Sequence, residues 1–189
     1  MANRLSTGIG VLDRELGGGP LAGSVVAYVA PPASQAELLL YELTRERPTL
    51  YLTTQRTEQA VHDAFESTSA RTGTPHIEYV AGDAPLENAR RICRDVSKEA
   101  TIIIDPVDVL ENADGNRYRN FLNTLQNHMQ NIGGVAYLHC LDGHSPPALR
   151  DTTEHMADVV FTLSVDTDGS EVENRLAVPK FREIGRAHV

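Results

Sequence analysis

Val25-Val26-Ala27-Tyr28-Val29-Ala30-Pro31-Pro32-Ala33-Ser34-Gln35-Ala36-Glu37-Leu38-Leu39-Leu40 decides the fold. The apolar run that ends at the proline pair predicts a buried strand. A tight loop follows, and then a leucine-rich helix start. Strand, loop and helix N-terminus together are the layout of a phosphate-binding loop, where backbone N–H groups and the helix dipole receive an anion. The chemistry of such a loop needs glycines, a lysine and a Ser or Thr. Ala33, Gln35, Ala36 and Glu37 stand there instead. Ala36 at the lysine position neutralises nothing, and Glu37 at the hydroxyl position brings negative charge to where phosphate would sit. Ser34-Gln35-Ala36-Glu37 also fits the capping box S-x-x-E, which would satisfy the first helix amides internally. The expectation is a self-capped loop, 30–37, that does not hold nucleotide.

Outward from that stretch, strand and helix patterns alternate. Ile9, Leu12 and Leu16 mark a short helical turn that Gly17-Gly18-Gly19-Pro20 ends. Strands are expected at 24–30, 48–53, 77–80, 101–105 and 135–139. Helices are expected at 35–45, after Thr57, after Asp83, at 116–132 and near 147–156. Thr57 and Asp83 are the expected N-caps of their helices. Tyr118, Phe121, Leu122, Leu125, Met129 and Ile132 form one apolar stripe. Several strands are apolar throughout, as a parallel sheet covered on both faces requires. Residues 158–165 and 175–181 read as two closing strands, joined through the turn signal Asp166-Thr167-Asp168-Gly169. The length of 189 residues suits a single domain, 1–189.

Charge and composition narrow the function classes. Hydrophobic residues make up 41% and the net charge is −9. Arginine supplies 15 of the 17 basic residues, a lysine-poor, acidic balance that suits a salt-loving cytoplasm. Such a balance disfavours a nucleic-acid partner, which calls for basic clusters. No apolar run reaches the ~20 residues that span a bilayer, and the N-terminus lacks the apolar core of a signal peptide. A cytoplasmic protein without membrane contact is expected. Cys93 and Cys140 read as buried thiols rather than a disulfide framework. His139, Cys140 and His144 cluster in sequence but match no zinc spacing, so no metal site is expected.

Several segments together resemble one family. Thr7-Gly8-Ile9-Gly10-Val11-Leu12-Asp13-Arg14-Glu15-Leu16-Gly17-Gly18-Gly19 is similar to the TGIxxLDxxLGGG opening of RecA/KaiC-type ATPases. Leu21-Ala22-Gly23-Ser24-Val25-Val26 is similar to the RGSVxLV that follows it, and Pro31-Pro32 to the proline pair of GPPGTGKT. Thr101-Ile102-Ile103-Ile104-Asp105 resembles a Walker B strand. The resemblance implies a RecA-like three-layer α/β sandwich, with a mainly parallel central sheet flanked by helices and a C-terminal antiparallel hairpin at its edge.

The resemblance also assigns site positions. Asp105 takes the Walker B place, where an active member reaches Mg²⁺ through water. Without a lysine or hydroxyl in the loop, Asp105 is expected to cap its strand end or the Pro106 turn, and Asp108 and Glu111 to be solvated. KaiC-type proteins carry an acidic pair after the second strand to orient the attacking water; Gln55 and Arg56 stand in those places, and neither takes a proton at neutral pH. Lys180 and Arg182 resemble the K-x-R pair that such proteins present to a neighbouring subunit's nucleotide. No catalytic residue is therefore assigned. The leading expectation is a non-catalytic, degenerate member (a pseudo-ATPase) without cofactor. It would act as a structural or regulatory interaction module, in a homo-oligomer or paired with a RecA/KaiC-like paralogue. The alternatives are an atypical ATPase holding ATP and Mg²⁺ weakly, or an accessory protein of DNA recombination or repair. The loops 111–116 and 142–147, which would face DNA, carry no lysine or arginine.

Overall fold

The computed structural model describes residues 3–80 and 82–182; residues 1–2, 81 and 183–189 lie outside the described residues. Seven strands form one sheet: β1 (Val25–Ala30), β2 (Thr49–Thr53), β3 (His76–Tyr79), β4 (Thr101–Asp105), β5 (Val135–Leu141), β6 (Val159–Asp168) and β7 (Glu171–Phe181). Their order is β3-β2-β4-β5-β1-β6-β7, parallel throughout except for the β6–β7 pair. This is the expected parallel sheet with an antiparallel hairpin at its edge. β5 lies between β1 and β4, so the loop after β1 and the aspartate ending β4 are separated by one strand.

Among the described residues, seven helices flank the sheet: α1 (Gly10–Glu15), α2 (Ala36–Glu42), α3 (Glu58–Ser67), α4 (Pro85–Cys93), α5 (Asp108–Glu111), α6 (Gly115–Ile132) and α7 (Arg150–Met156). Strand alternation gives the sheet two apolar faces. Val26, Tyr28, Tyr51, Ile103 and Tyr137 pack with Leu12, Leu40 and Val61 of α1, α2 and α3. Ala27, Leu52, Ile102, Ile104 and Leu138 pack with Leu86 of α4, Leu110 of α5 and the Tyr118–Met129 stripe of α6. Each fully buried large side chain is worth ~1.5–3 kcal/mol, so the two layers hold the sheet from both sides.

The caps were read unevenly. Thr57 caps α3, its hydroxyl accepting from Ala60 N at 3.1 Å. Asp114 caps α6, and Gly133, at φ 68°, ends it in the left-handed conformation that favours glycine. Asp83 does not cap α4: its N-cap is Ala84, and Pro85 opens the helix, where a missing N–H costs nothing. The four-residue α5 was not expected from periodicity. The closing strands run longer than expected, and their turn falls at Gly169 rather than across 166–169.

The T-G-I-x-x-L-D opening is a structural clamp. The Asp13 carboxylate accepts from Ser6 Oγ at 2.6 Å, Thr7 N at 2.8 Å and Thr7 Oγ1 at 2.6 Å. Arg4 donates to the Leu16 and Gly19 carbonyls. Gly19 holds φ 122°, and a Cβ there would lie 2.0 Å from the Leu5 carbonyl oxygen. The clamp delivers the chain into β1 and sets the position of the loop that follows.

Candidate functional site

Ligands of open α/β sheets bind beyond the C-terminal ends of the strands. Ala30, Thr53, Asp105 and Leu141 mark that edge. The loop 31–35 leaves β1 there, but its expected capping box is not formed. The Ser34 hydroxyl donates back to the Pro31 carbonyl at 2.6 Å, and α2 starts after Gln35 with no side-chain cap. The serine is thus committed to its own loop before the helix begins, one residue later than the S-x-x-E spacing needs. Glu37 is half-buried in the first turn, where the helix dipole favours a carboxylate. Beneath it, the Tyr28 hydroxyl donates to the Ala36 carbonyl at 3.4 Å. Burial raises the Tyr28 pKa, and the charge of Glu37 raises it further.

Asp105 is the centre of the site. It is 6% exposed, and its carboxylate is engaged by three side chains. Tyr51 from β2 donates a short hydrogen bond to Oδ2. Arg56 Nη2 donates to Oδ2 at 3.3 Å and to the Tyr41 hydroxyl at 3.1 Å. His139 Nδ1 lies 2.7 Å from Oδ1, with the imidazole stacked on Tyr28 at a centroid distance of 5.6 Å. Desolvation raises the Asp105 pKa, but hydrogen bonding and charge from His139, the Tyr51 hydrogen bond and the Arg56 charge outweigh it, and the net shift is downward. Tyr51 moves the other way, its hydroxyl kept neutral by burial and by Asp105. Tyr41, Tyr51 and Phe65 pack around this group with centroids 4.4–6.2 Å apart, Tyr51 and Phe65 edge to face and the other two pairs tilted.

Two expectations are corrected here. The Asp105 side chain does not cap its strand end or the Pro106 turn; Thr54 does that work, its N–H donating to the Asp105 carbonyl and its hydroxyl to the Pro106 carbonyl. The side chain turns inward because every odd residue of β4 faces the α2–α3 layer. Asp108 and Glu111 are not solvated. Glu111 is 2% exposed and accepts from Arg150 Nε and Nη2 and from Thr153 Oγ1, at 2.7–3.1 Å. Asp108 accepts from Leu141 N at 3.0 Å and pairs with Arg150 at 2.9 Å. The short helix α5 carries both carboxylates under α7, where Arg150 meets them.

The remaining assigned positions scatter. Gln55 is exposed, while its neighbour Arg56 reaches Asp105. Lys180 Nζ donates to the Glu154 and His155 carbonyls at 3.1 and 2.7 Å, the C-terminal end of α7. Desolvation and the nearby Arg182 lower its pKa. Arg182 is about half exposed and lies 3.8 Å from Asp158. His139 joins the site, whereas Cys140, its chain neighbour, faces the other side of the sheet and contributes to the opposite core. Among the described residues, no three His, Cys, Asp or Glu side chains are grouped to hold a metal ion, and no helix is long and apolar enough to cross a membrane.

Tyr28, Tyr41, Tyr51 and His139 were not expected as site residues. The available signal was tyrosine in otherwise aliphatic strands: a buried Tyr needs a partner for its hydroxyl, and Tyr51 is two residues from the end of a strand that pairs with β4. Two clefts among the described residues lie elsewhere. One of about 430 Å³ opens at the opposite, N-terminal end of β2 and β3, beside His76, Glu78, Arg91 and Asp95. Another of about 460 Å³ runs between the loop residues Pro32–Gln35 and the β6–β7 hairpin. Asp105 lines neither.

No curated protein matches the chain in sequence. Among solved structures, the fold matches the KaiC-like protein PH0186 from the hyperthermophilic archaeon Pyrococcus horikoshii OT3, with a TM-score of 0.72 and 15% identity. The match covers 99% of this chain and 92% of that one. A likeness at that identity shows the fold, which is RecA/KaiC-like. The chain belongs to DUF7125, a family of unknown function whose model matches residues 4–188.

Proposed function

We propose that this RecA/KaiC-like chain is a non-catalytic interaction module, a pseudo-ATPase whose nucleotide site has been converted into a closed internal network. The observation that carries this reading is the Arg56–Asp105 contact within the Tyr51–His139 cluster. A Walker B aspartate serves Mg²⁺ only if its carboxylate stays available to the ion's water shell. Here a hydroxyl, a guanidinium and an imidazole take up that carboxylate, and the loop offers neither lysine nor hydroxyl in return. Arg56 supplies the positive charge that the metal and loop lysine would bring, and it supplies it permanently. With the site closed, the chain acts through its surfaces, by self-association or by pairing with a RecA/KaiC-like paralogue in a saline, cytoplasmic setting. Arg182, exposed and loosely paired, is the member of the K-x-R pair placed to reach a neighbour, since Lys180 is bound to its own α7.

Isothermal titration of ATP with Mg²⁺ tests the proposal. No heat of binding is expected at up to millimolar nucleotide. Micromolar binding would sink it in favour of the atypical ATPase reading. Mixing with an active paralogue should raise that partner's ATPase rate, and Arg182→Ala should abolish the gain.

A further inference from the structure

The β6–β7 hairpin outruns the sheet. β1 pairs with β6 only from Val26↔Val159 to Val29↔Thr162, so residues 163–176 continue past the C-terminal edge as a two-stranded ribbon. A ribbon without a third strand is marginal in water. Its two faces differ. Val165, Val172 and Leu176 lie on one, with Val172 64% exposed. Asp166, Asp168, Glu171 and Glu173 lie on the other, and cross-strand pairing sets Asp166 directly opposite Glu173 and Asp168 opposite Glu171. Like charges in directly opposed positions destabilise a strand pair. Arg175 relieves the first pair, at 3.7 Å from Asp166 and 3.2 Å from Glu173. The second pair has no cation among the described residues.

The complementary surface is at the other end of the molecule. α4 closes near the N-terminal end of β4, and between it and α6 runs a groove of about 60 Å³, lined by Arg90, Arg94 and His128 over a floor of Phe121 and Leu125. Arg90 Nε and His128 Nε2 are buried there with no hydrogen-bond partner. A buried polar atom left unpaired is costly, and a carboxylate is the acceptor that the Arg90 guanidinium suits. In a chain of net charge −9, an arginine groove with unused donors calls for an acidic occupant.

We propose that the acidic face of the β6–β7 ribbon of one copy docks on the arginine groove between α4 and α6 of a second copy. The proposal rests on the reading of this chain as an interaction module. The two surfaces lie at opposite ends, so the contact is heterologous and propagates head to tail into a ring or filament.

The test is sedimentation velocity over a range of concentrations, at the lowest salt that leaves the circular dichroism unchanged. Wild-type chain is expected to self-associate. Arg90→Glu with Arg94→Glu, and separately Asp168→Arg with Glu171→Arg, should each weaken association about tenfold or more. Mixing the two variants should restore a complex, because one keeps an intact ribbon and the other an intact groove. Wild-type association that survives both reversals places the interface elsewhere and overturns the assignment, while the interaction-module reading stands. A wild-type chain that stays monomeric overturns it too, leaving only a paralogue as partner. ATP binding by titration sinks the module reading independently of either result. The reversed residues of the ribbon are exposed, and circular dichroism of every variant separates lost docking from lost folding.

Discussion

The guanidinium of Arg56, just past the end of β2, lies 3.3 Å from the carboxylate of Asp105 at the end of β4. The side chain of Arg56 is 39% exposed and that of Asp105 7%, so the pair spans the boundary between solvent and core. On the exposed side, screening limits the ion pair itself to ~1 kcal/mol or less. The larger effect is positional, because the contact, with those of Tyr51 and His139, leaves the Asp105 carboxylate engaged on both oxygens.

Restoring the loop alone should therefore not restore nucleotide binding. Ala36→Lys combined with Glu37→Thr returns the lysine and hydroxyl, but Asp105 stays engaged by Tyr51, Arg56 and His139. No ATP binding is expected by titration with Mg²⁺. Micromolar affinity from those two changes would locate the defect in the loop and remove the network from the explanation.

Asp105→Asn should destabilise the fold by about 1–3 kcal/mol in urea unfolding, because it replaces a buried acceptor of charge-assisted bonds. The pH dependence follows from the depressed Asp105 pKa. A carboxyl with a lower pKa folded than unfolded adds stability that is fully present above its unfolded value. That stability is lost as the pH falls through the folded value. The wild-type advantage over Asp105→Asn should thus shrink in acid below about pH 4. An advantage that does not change with pH would mean the carboxylate is not held in its charged form.

The buried group under α7 offers a double-mutant cycle. Arg150→Met leaves the Glu111 carboxylate, 2% exposed, with Thr153 as its remaining side-chain partner. A loss of ~3–5 kcal/mol is expected. Adding Glu111→Leu should recover part of it, since no uncompensated charge then remains. If the double variant is less stable than Arg150→Met, the pair is a net stabiliser beyond its charge balance.

Gly19→Ala should be among the most damaging substitutions in the chain. A left-handed φ costs a non-glycine residue ~1–3 kcal/mol, and the added Cβ would collide with the Leu5 backbone. Thermal denaturation should show a clear loss of stability, or no folded protein at all. Gly10→Ala, with open space around its Cβ, should be tolerated. Equal behaviour of the two would remove the clamp as the explanation of the glycine run.

The fold was legible in the sequence because its signals are local. The apolar runs at 25–30 and 101–105, the α6 stripe and the glycine run after α1 each depend on residues a few positions apart. That Ala36 and Glu37 are neither lysine nor Ser/Thr, and that Gln55 and Arg56 are not acids, could also be read directly. The partners of those side chains could not. Arg56, Asp105 and His139 are far apart in the chain and meet because β4 lies between β2 and β5, an order set by packing of the whole sheet. The same holds for Glu111, which reads as a solvated acid beside a loop until α7 brings Arg150 over it. Ser34 shows the reverse: its sequence spacing fits a capping box, yet the loop geometry turns its hydroxyl to Pro31. The sequence alone determined that the loop after β1 carries neither glycine nor lysine between Ala30 and Glu37. Only the tertiary structure decided which side chains engage Asp105, because charge compensation in a buried site depends on distances that chain neighbours do not set.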